Sequence, residues 1–474
     1  MTLDTNICYT ALKTRDARFD GRFFTGVTST GIFCRPICPA STPKIENCTF
    51  HESANAALQA GFRPCLRCRP ESAPVSAAWI GTEALVRRAI NLIEDGELDE
   101  GQSVNHFANR LGVGERHLRR LFKTHVGASP KQIAQSRRLM FAKRLLRQTE
   151  TSITEIAFAS GFNSLRRFND AYKAAFDFAP SHERKKSNIP SLNQDISLTF
   201  SYRPPYDWQG LLVFFEQRAL PGVESIIDNC YQRTISIEGT AGLLHISNDI
   251  SKNRLCCVIS NVAVEHLRFI SRNIRRMFDL DADPEAITHD LSHDPALAAI
   301  IETKPGLRLP GAWDGFEVAV RAIIGQQISV KGARTIASRL VQRLGTPLSD
   351  NRFLFPSSEA IAKGDLDGLG LTKRRCKTLQ NFAENWTELD RALSVEDTIS
   401  SLCDLPGIGP WTAHYIVMRA LGEPDTYPVA DLALMRALEK MGLPAGKKDL
   451  EERAQNWRPW RAYGALYLWS YDND

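Results

Sequence analysis

The spacing of apolar residues divides the chain into stretches of different period. From residue 82 to 183, apolar side chains recur every three or four positions between short glycine-bearing turns, which predicts a helical segment without strands. From 196 to 260 the runs ISLTFSY, RTISIEG, LLHIS and LCCVIS alternate and predict short strands, with one helical stretch, LLVFFEQRAL, among them. Beyond residue 262 the helical period returns and continues along the remaining sequence.

Two polar stretches interrupt this pattern and predict linkers, at residues 70–78 and 185–194. A chain of 474 residues is too long for one ordinary core. We therefore expect a multidomain α+β protein with a small first domain, all-α second and fourth domains, and a mixed α/β third domain. The expected boundaries are 1–75, 76–190, 191–305 and 306–474.

Charge is divided unevenly along the chain. Residues 1–190 hold 28 Lys and Arg against 18 Asp and Glu, an excess of +10, whereas the remaining residues carry −5. A basic segment favours a polyanionic partner, because neutralising phosphates releases condensed counterions. No stretch resembles a signal peptide or a membrane span, so we expect a cytoplasmic protein.

Four of the eleven cysteines form two close pairs. Cys34 and Cys38 are spaced C-x3-C, and Cys65 and Cys68 are spaced C-x2-C. Thiolates at such spacing can complete a tetrahedral site, so the sequence predicts one Zn²⁺ per chain. From spacing alone, a purely structural four-cysteine zinc knuckle is the favoured interpretation.

The residues around these cysteines favour a reactive site instead. STGIFCRPIC, residues 29–38, and AGFRPCLRC, residues 60–68, resemble the N-terminal domain of the Ada family of methyl-accepting repair regulators. The resemblance implies that Cys34 takes a methyl group from a DNA methylphosphotriester while Cys38, Cys65 and Cys68 hold the same zinc. Nearby arginines are candidate phosphate contacts, with ordinary solvated surface an equal alternative: Arg35, Arg63, Arg67 and Arg69.

Two copies of a helix-turn-helix pattern lie about fifty residues apart in the basic half, SVNHFANRLGVGERHLRRLFKTHVG and SITEIAFASGFNSLRRFNDAYKAAF. Either copy alone is more often a structural hairpin. The pair resembles the AraC-type DNA-binding domain, which implies sequence-specific binding in two successive major grooves, although Asp177 stands where that family has glycine. The candidate DNA-binding residues are Arg116, Arg119, Arg120, Asn163, Arg166 and Arg167.

The last stretch contains LPGIGPWTA, residues 405–413, a hairpin whose Gly407 and Gly409 let backbone amides approach a phosphate. Asp431 follows Gly409 by 22 residues, in YPVADLAL. An aspartate in front of an apolar run is usually only a helix N-cap.

Together, the hairpin and this aspartate resemble the helix-hairpin-helix base-excision glycosylases. Residues 196–470 resemble the AlkA family of alkylbase glycosylases through RPPYDW, PGLRLPG, LPGIG-x-WTA-x-Y and W-x-PWR-x-Y. The resemblance implies that Asp431 stabilises an oxocarbenium-like sugar and orients water. It also assigns Trp411, Tyr415 and Trp469 to a base pocket whose π-faces attract a cationic alkylated purine, although their spacing alone favours helix core.

Further residues refine this expectation. Gln326 and Gln327, in IIGQQIS, lie where the AlkA family inserts a wedge into the DNA stack. Trp411 stands where lyase-active relatives carry a lysine, which implies a monofunctional hydrolase.

These resemblances predict a bacterial, nucleoid-associated DNA alkylation-repair protein. It would combine a zinc methyl-acceptor domain, a double helix-turn-helix, an AlkA-type N-terminal subdomain and a helix-hairpin-helix glycosylase that releases bases of the 3-methyladenine type. Its expected partners are damaged double-stranded DNA, a promoter site regulated through methylation of Cys34, and RNA polymerase. Two alternatives stay open: a transcription regulator whose glycosylase half only binds DNA, and a glycosylase in which Cys34 is structural.

Overall fold

The computed structural model describes residues 4–65, 67–68, 70, 84–185, 195–387, 389, 393–428 and 430–472. Most of both predicted linkers, and Arg69, lie outside these residues. The chain forms two compact units. The first comprises Met1–Pro204, Asp249–Arg272 and Leu280–Asp283, and the second comprises Pro205–Asn248, Asn273–Asp279 and Pro284–Asp474.

A small sheet at the start of the first unit positions the cysteine pairs. Its strands have the order β3-β1-β2-β4, and helices α1 and α2 accompany them. Strand β2 pairs antiparallel with β1, placing Cys34 opposite Thr25, and parallel with β4, placing Phe33 opposite Pro64. The elements are α1 (Thr5–Thr14), β1 (Phe24–Val27), β2 (Ile32–Cys34), β3 (Cys48–His51), α2 (Ala54–Gln59) and β4 (Arg63–Pro64).

The predicted helical segment is confirmed. Its two helix-turn-helix hairpins turn at Gly112 and Gly161, which have φ values of 73° and 82°. Asp177 ends the second hairpin at φ 62°, so an aspartate adopts the left-handed conformation that glycine usually supplies there. The helices are α3 (Ala84–Glu94), α4 (Val104–Arg110), α5 (Glu115–Val126), α6 (Pro130–Gln148), α7 (Ile153–Ala159), α8 (Leu165–Phe176) and α9 (Pro180–Lys185).

The predicted mixed segment also has the expected strands and helix. Strands β5 and β9 form an antiparallel pair in the first unit, and β6, β7 and β8 form an antiparallel meander in the second. The elements are β5 (Ile196–Ser201), α10 (Trp208–Arg218), β6 (Glu224–Ile227), β7 (Cys230–Ile237), β8 (Thr240–Asp249), β9 (Arg254–Ser260) and α11 (Leu267–Met277).

Within the first unit, polar contacts join the helical segment to the β5–β9 region. The Gln148 side chain accepts from the Thr199 backbone N–H at 3.0 Å and donates to Thr199 Oγ1 at 3.1 Å. Arg268, at the start of α11, pairs with the Asp99 carboxylate at 2.8 Å. The helix-turn-helix segment and this strand pair therefore belong to one packed body.

Helices dominate the rest of the second unit, as predicted. The centre of its core is α14, whose buried Val320 and Ile323 pack in one cluster with Leu340, Leu379 and Ile416. Two short strands, β10 and β11, were missed, because two-residue strands are too short to show an alternating period. The elements are α12 (Pro284–Leu291), α13 (Pro295–Thr303), α14 (Gly315–Gly325), α15 (Val330–Leu344), β10 (Thr346–Pro347), β11 (Phe353–Leu354), α16 (Ser358–Lys363), α17 (Lys373–Glu384), α18 (Val395–Cys403), α19 (Pro410–Leu421), α20 (Leu432–Lys440), α21 (Lys447–Gln455) and α22 (Arg461–Asp472). Among the described residues, no helix has the length and apolar character needed to span a bilayer.

Candidate functional site

The four cysteines converge at one edge of the small sheet. Cys34 ends β2 and Cys65 follows β4, where its backbone N–H donates to the Phe33 carbonyl at 2.9 Å. Cys38 lies in the next turn, and its N–H donates to the Arg35 carbonyl at 3.1 Å. Pairing of β2 with β4 therefore joins two cysteine pairs that are distant in sequence.

The cluster has the dimensions of a tetrahedral zinc site. All four sulfur atoms are buried and lie within 4.8 Å of one another. The Cys38 and Cys65 sulfurs are 3.8 Å apart, and Zn–S bonds of ~2.3 Å give a tetrahedral edge of about 3.8 Å. The cluster therefore suits the one zinc ion per chain that the sequence predicts, and its candidate ligands are Cys34, Cys38, Cys65 and Cys68.

Arg35 is buried beside this cluster. Its backbone N–H donates to the Cys68 sulfur at 3.3 Å, and its guanidinium donates to the Cys68 carbonyl at 3.0 Å and to Asp20 Oδ1 at 2.7 Å. Because Arg35 is only 4% exposed, its placement does not favour the predicted phosphate contact. Arg67 is exposed, and Arg63 is half-exposed and pairs with Asp177 at 3.4 Å.

The second helix of the first helix-turn-helix presents a basic face. Leu118 and Phe122 are buried on the face of α5 opposite to the basic one. Its exposed residues include the predicted Arg116, Arg119 and Arg120, and Arg119 Nε donates to Glu115 at 2.8 Å. The amphipathic period of α5 therefore leaves these three arginines on the solvent side.

The second helix-turn-helix repeats this arrangement, with an added carboxylate contact. Arg166 is exposed at the start of α8. Asn163 donates its backbone N–H to the Glu100 carboxylate at 2.7 Å, and Arg167 pairs with the same carboxylate at 3.0 Å. Sequence reasoning missed Glu100, because it lies more than 60 positions before its partners.

Asp431 is held by four donors at the start of α20. Its Oδ1 accepts from the backbone N–H groups of Ala433 at 2.9 Å and Leu434 at 3.0 Å, which is N-cap geometry. The Trp469 indole also donates to Oδ1, at 3.1 Å, and the Trp411 indole donates to Oδ2 at 2.7 Å. The carboxylate is thus both the predicted N-cap and the centre of an aromatic site.

An aromatic stack adjoins this carboxylate. The Trp411 and Tyr415 rings are 5.2 Å apart and nearly parallel, at 8°. Trp469 meets Tyr415 edge-on at 6.5 Å. All three side chains, together with Asp431, line a cavity of about 820 Å³ within the second unit. The predicted pocket residues therefore share one cleft.

Three further residues of this cleft were not predicted. Phe214 and Arg218 come from α10, and Arg419 lies one turn beyond Tyr415 on α19. The guanidinium carbons of Arg218 and Arg419 lie 3.8 and 4.7 Å from the Phe214 ring centre. The apolar pattern of LLVFFEQRAL predicts the helix but gives no signal for the cleft, because α10 is about 200 residues from α19 in sequence.

The helix-hairpin-helix turn connects α18 to α19. Gly407 has φ 87°, and a Cβ there would lie 2.4 Å from Thr378 Cγ2, whereas Gly409 has open space around it. The Gln326 side chain donates to the Gly407 carbonyl at 3.0 Å and to Thr412 Oγ1 at 3.1 Å. Gln327 is exposed and has φ 60°. Gln326 therefore anchors its loop to the hairpin, while Gln327 occupies the exposed tip.

Four family models match successive parts of the chain. They are described as the metal binding domain of Ada (residues 7–71), a helix-turn-helix domain (107–186), the AlkA N-terminal domain (197–314) and the HhH-GPD superfamily base excision DNA repair protein (320–462). A Mycobacterium tuberculosis protein, named a probable bifunctional transcriptional activator/DNA repair enzyme AlkA, is 37% identical over 480 residues, covering 98% of this chain and 96% of the relative. The chain belongs to this AlkA family.

Other relatives match only part of this AlkA family member. DNA-3-methyladenine glycosylase 2 of Escherichia coli is 32% identical, covering 57% of this chain and 96% of its own length. The Escherichia coli bifunctional transcriptional activator/DNA repair enzyme Ada is 36% identical over 30% of this chain and 38% of its own length. The solved 3-methyladenine DNA glycosylase of Archaeoglobus fulgidus shares the fold, with TM-score 0.52 and 24% identity, over 58% of this chain and 98% of that one.

Proposed function

We propose that this protein repairs alkylated DNA by hydrolysing the N-glycosidic bond of alkylated bases of the 3-methyladenine type. The observation that carries this proposal is a buried carboxylate, Asp431, fixed by two indole donors in an aromatic cleft. A fixed negative charge is suited to a sugar that becomes positive as the base leaves. The neighbouring π-faces of Trp411 and Tyr415 suit a cationic alkylated base.

In this mechanism the flipped nucleotide places its base against the aromatic rings and its sugar beside Asp431. The carboxylate stabilises the oxocarbenium-like sugar and orients the water that adds to C1′. Trp411, at the start of α19, supplies an indole donor and no nucleophilic amine, so a monofunctional hydrolysis is the expected reaction. Gln327 is proposed to fill the gap left by the base, since it occupies the exposed loop tip beside the hairpin.

The first test is Asp431→Asn, because asparagine preserves the N-cap and removes the charge. Base release from methylated duplex DNA should fall by at least ~100-fold. Asp294→Asn is a matched control, since Asp294 is also an N-cap that accepts from an indole, that of Trp457 at 2.9 Å, and is not a cleft residue. Single-turnover assays measure the rate of base release. If Asp431→Asn released base at the wild-type rate, the proposed mechanism would be excluded.

The same chain is proposed to accept a methyl group on Cys34. Among the described residues, backbone N–H groups interact with the sulfurs of Cys68, Cys65 and Cys38, but none reaches Cys34. Hydrogen bonds stabilise thiolate charge and so reduce its nucleophilicity, which makes Cys34 the favoured acceptor. The zinc ion, when bound, keeps the cysteines deprotonated.

Methyl acceptance is tested by intact-mass analysis after incubation with DNA methylphosphotriesters. The wild type should gain one methyl group, located by peptide mapping at Cys34. Cys34→Ala should gain none, whereas Cys48→Ala, which changes a cysteine of the same sheet outside the cluster, should still gain one. A methyl group found on another cysteine would disprove the assignment of Cys34.

Methylation of Cys34 is proposed to regulate promoter binding by changing the charge of the cysteine cluster. Four thiolates around a divalent ion carry a formal charge of about −2, which methylation reduces to about −1. Less repulsion from phosphates should then strengthen promoter binding by the recognition helices α5 and α8. RNA polymerase is the proposed partner at such a promoter. A pure regulator would instead retain promoter binding with no base release by any form of the chain.

A further inference from the structure

Two neighbouring arginines at the start of the recognition helix α8 are held in different ways. The side chain of Arg166 is 93% exposed, and its ion pair with Asp170, on the next turn, is long at 4.0 Å. Arg167 is less exposed and pairs at 3.0 Å with Glu100, whose side chain is only 18% exposed. Arg167 is therefore fixed by a partner from outside the helix, whereas Arg166 extends into solvent.

Glu100 is itself fixed on the second helix-turn-helix. Its carboxylate accepts from the Asn163 backbone N–H at 2.7 Å, and its carbonyl accepts from the Asn163 side chain at 2.8 Å. The Glu100 N–H donates to the Gly161 carbonyl at 3.3 Å. The adjoining Asp99 fits so closely that a Cβ on Gly161 would overlap its carboxylate. The segment that carries Glu100 is thus packed directly on the turn in front of α8.

The negative charge of Glu100 is stabilised in this position. Burial raises the pKa of Glu100, but the Asn163 N–H and the positive charge of Arg167 outweigh burial and lower the pKa below its ordinary value. The carboxylate is therefore ionised at neutral pH and pairs with Arg167 as an anion. Such a pair restricts the rotamers of the arginine before DNA binds, which reduces the entropy lost on binding.

Reading a base and neutralising a phosphate make different demands on an arginine. In helix-turn-helix proteins, residues at the start of the second helix meet base edges in the major groove. An arginine recognises guanine there by donating to both O6 and N7, which requires a defined guanidinium plane. A phosphate contact requires only positive charge and reach, and it carries no sequence information. The contact with one Glu100 oxygen leaves other N–H groups of Arg167 for a base.

We propose that Arg167, positioned by Glu100, reads a guanine in the major groove, and that the neighbouring Arg166 contacts a phosphate. The proposal rests on the promoter binding proposed above and names a base that the second helix-turn-helix recognises. Glu100 is then a positioning residue that does not touch DNA. In the opposite role, Glu100 would be an internal anion that competes with phosphate for Arg167, and removing its charge would tighten binding to every sequence equally.

The experiment first defines the site with the full zinc-loaded chain. Wild-type protein selects duplexes from a pool with a randomised centre, and each G·C pair of the selected sequence is then changed to A·T in turn. The discrimination at a position is the ratio of the affinities for the selected and the changed duplex. At the position read by Arg167, the wild-type discrimination should be at least ~10-fold.

Arg167→Met and Arg166→Met are a matched pair, since each removes one positive charge from the first turn of α8. Arg167→Met should lower the discrimination at one G·C pair to less than about threefold. Arg166→Met should weaken binding to all duplexes by one common factor and reduce the slope of log affinity against log salt by about 1. Equal losses of discrimination in the two variants, or no loss in Arg167→Met, would overturn the assignment.

Glu100→Gln and Asp170→Asn form a second matched pair, because each removes one negative charge beside α8. Both should bind a duplex of shuffled sequence more tightly than wild type, and by similar factors. Only Glu100→Gln should also lose discrimination, by at least ~3-fold, at the G·C pair identified with Arg167→Met. Tighter binding of Glu100→Gln to every duplex with unchanged discrimination would contradict the positioning role and indicate an internal competitor.

The wild type separates this proposal from the one on which it rests. If the wild-type chain selects no common sequence, promoter recognition and the guanine assignment fail together. If it selects a sequence whose discrimination persists in Arg167→Met, promoter binding stands and the guanine assignment alone is wrong.

Discussion

At the scale of single residues, the sequence identified the ligands and the proposed catalytic carboxylate but not the groups that hold them. Cys34 and Asp431 stand in motifs with fixed spacing, so their neighbours in sequence are informative. The partner of Arg35 is Asp20, 15 positions earlier and in no motif, and together they form a buried ion pair. Arg35 consequently looked like a surface arginine, because sequence alone does not show burial.

Removing the charge of Asp20 should destabilise the sheet that carries the cysteines. Asp20→Asn leaves the buried guanidinium of Arg35 without its counter-ion, which costs about 3 kcal/mol. Asp16→Asn is the control, because its partner Arg18 is 55% exposed, and such pairs contribute at most about 1 kcal/mol. Hydrogen exchange in β1 and β2 measures the opening free energies, and equal values for the two variants would refute the structural role of this pair.

At the scale of elements, periodicity and turn chemistry predicted most of the fold. The helices of both helix-turn-helix hairpins and the turn at Gly407 follow from apolar spacing and glycine positions. Strands β10 and β11 could not be predicted, since a two-residue pairing has no period. The sequence pattern also could not predict that α10 lines the cleft, because this depends on packing between segments that are distant in sequence.

The two hairpin glycines should respond differently to alanine. In Gly407→Ala, the alanine would have to adopt a left-handed φ, and its Cβ would clash with the Thr378 methyl group. We therefore expect the free energy of unfolding to fall by about 1–3 kcal/mol. Gly409→Ala has open space and φ −94°, so stability should stay within about 0.5 kcal/mol of wild type. Its DNA affinity should still fall, because the new Cβ would lie where a phosphate is proposed to approach the backbone amides. Thermal melts and binding at fixed salt measure both effects, and unchanged affinity in Gly409→Ala would contradict an amide–phosphate contact.

At the scale of the whole molecule, motifs predicted which families are joined but not how the segments pack. The first unit combines the cysteine sheet, the helix-turn-helix segment and the β5–β9 pair. Gln148 with Thr199, and Asp99 with Arg268, make contacts within that unit that no local pattern encodes. Local patterns specify elements and sites, whereas contacts between segments that are far apart in sequence depend on tertiary packing.

The most direct measurement follows both proposed reactions in one sample. Purified wild type and Asp431→Asn are incubated with methylated duplex DNA, released 3-methyladenine and 7-methylguanine are quantified, and the intact mass of each protein is determined. The wild type should release both bases and gain one methyl group, and Asp431→Asn should gain the methyl group without releasing base. Base release by Asp431→Asn at the wild-type rate, or a wild type that neither releases base nor gains a methyl group, would contradict a dual repair protein.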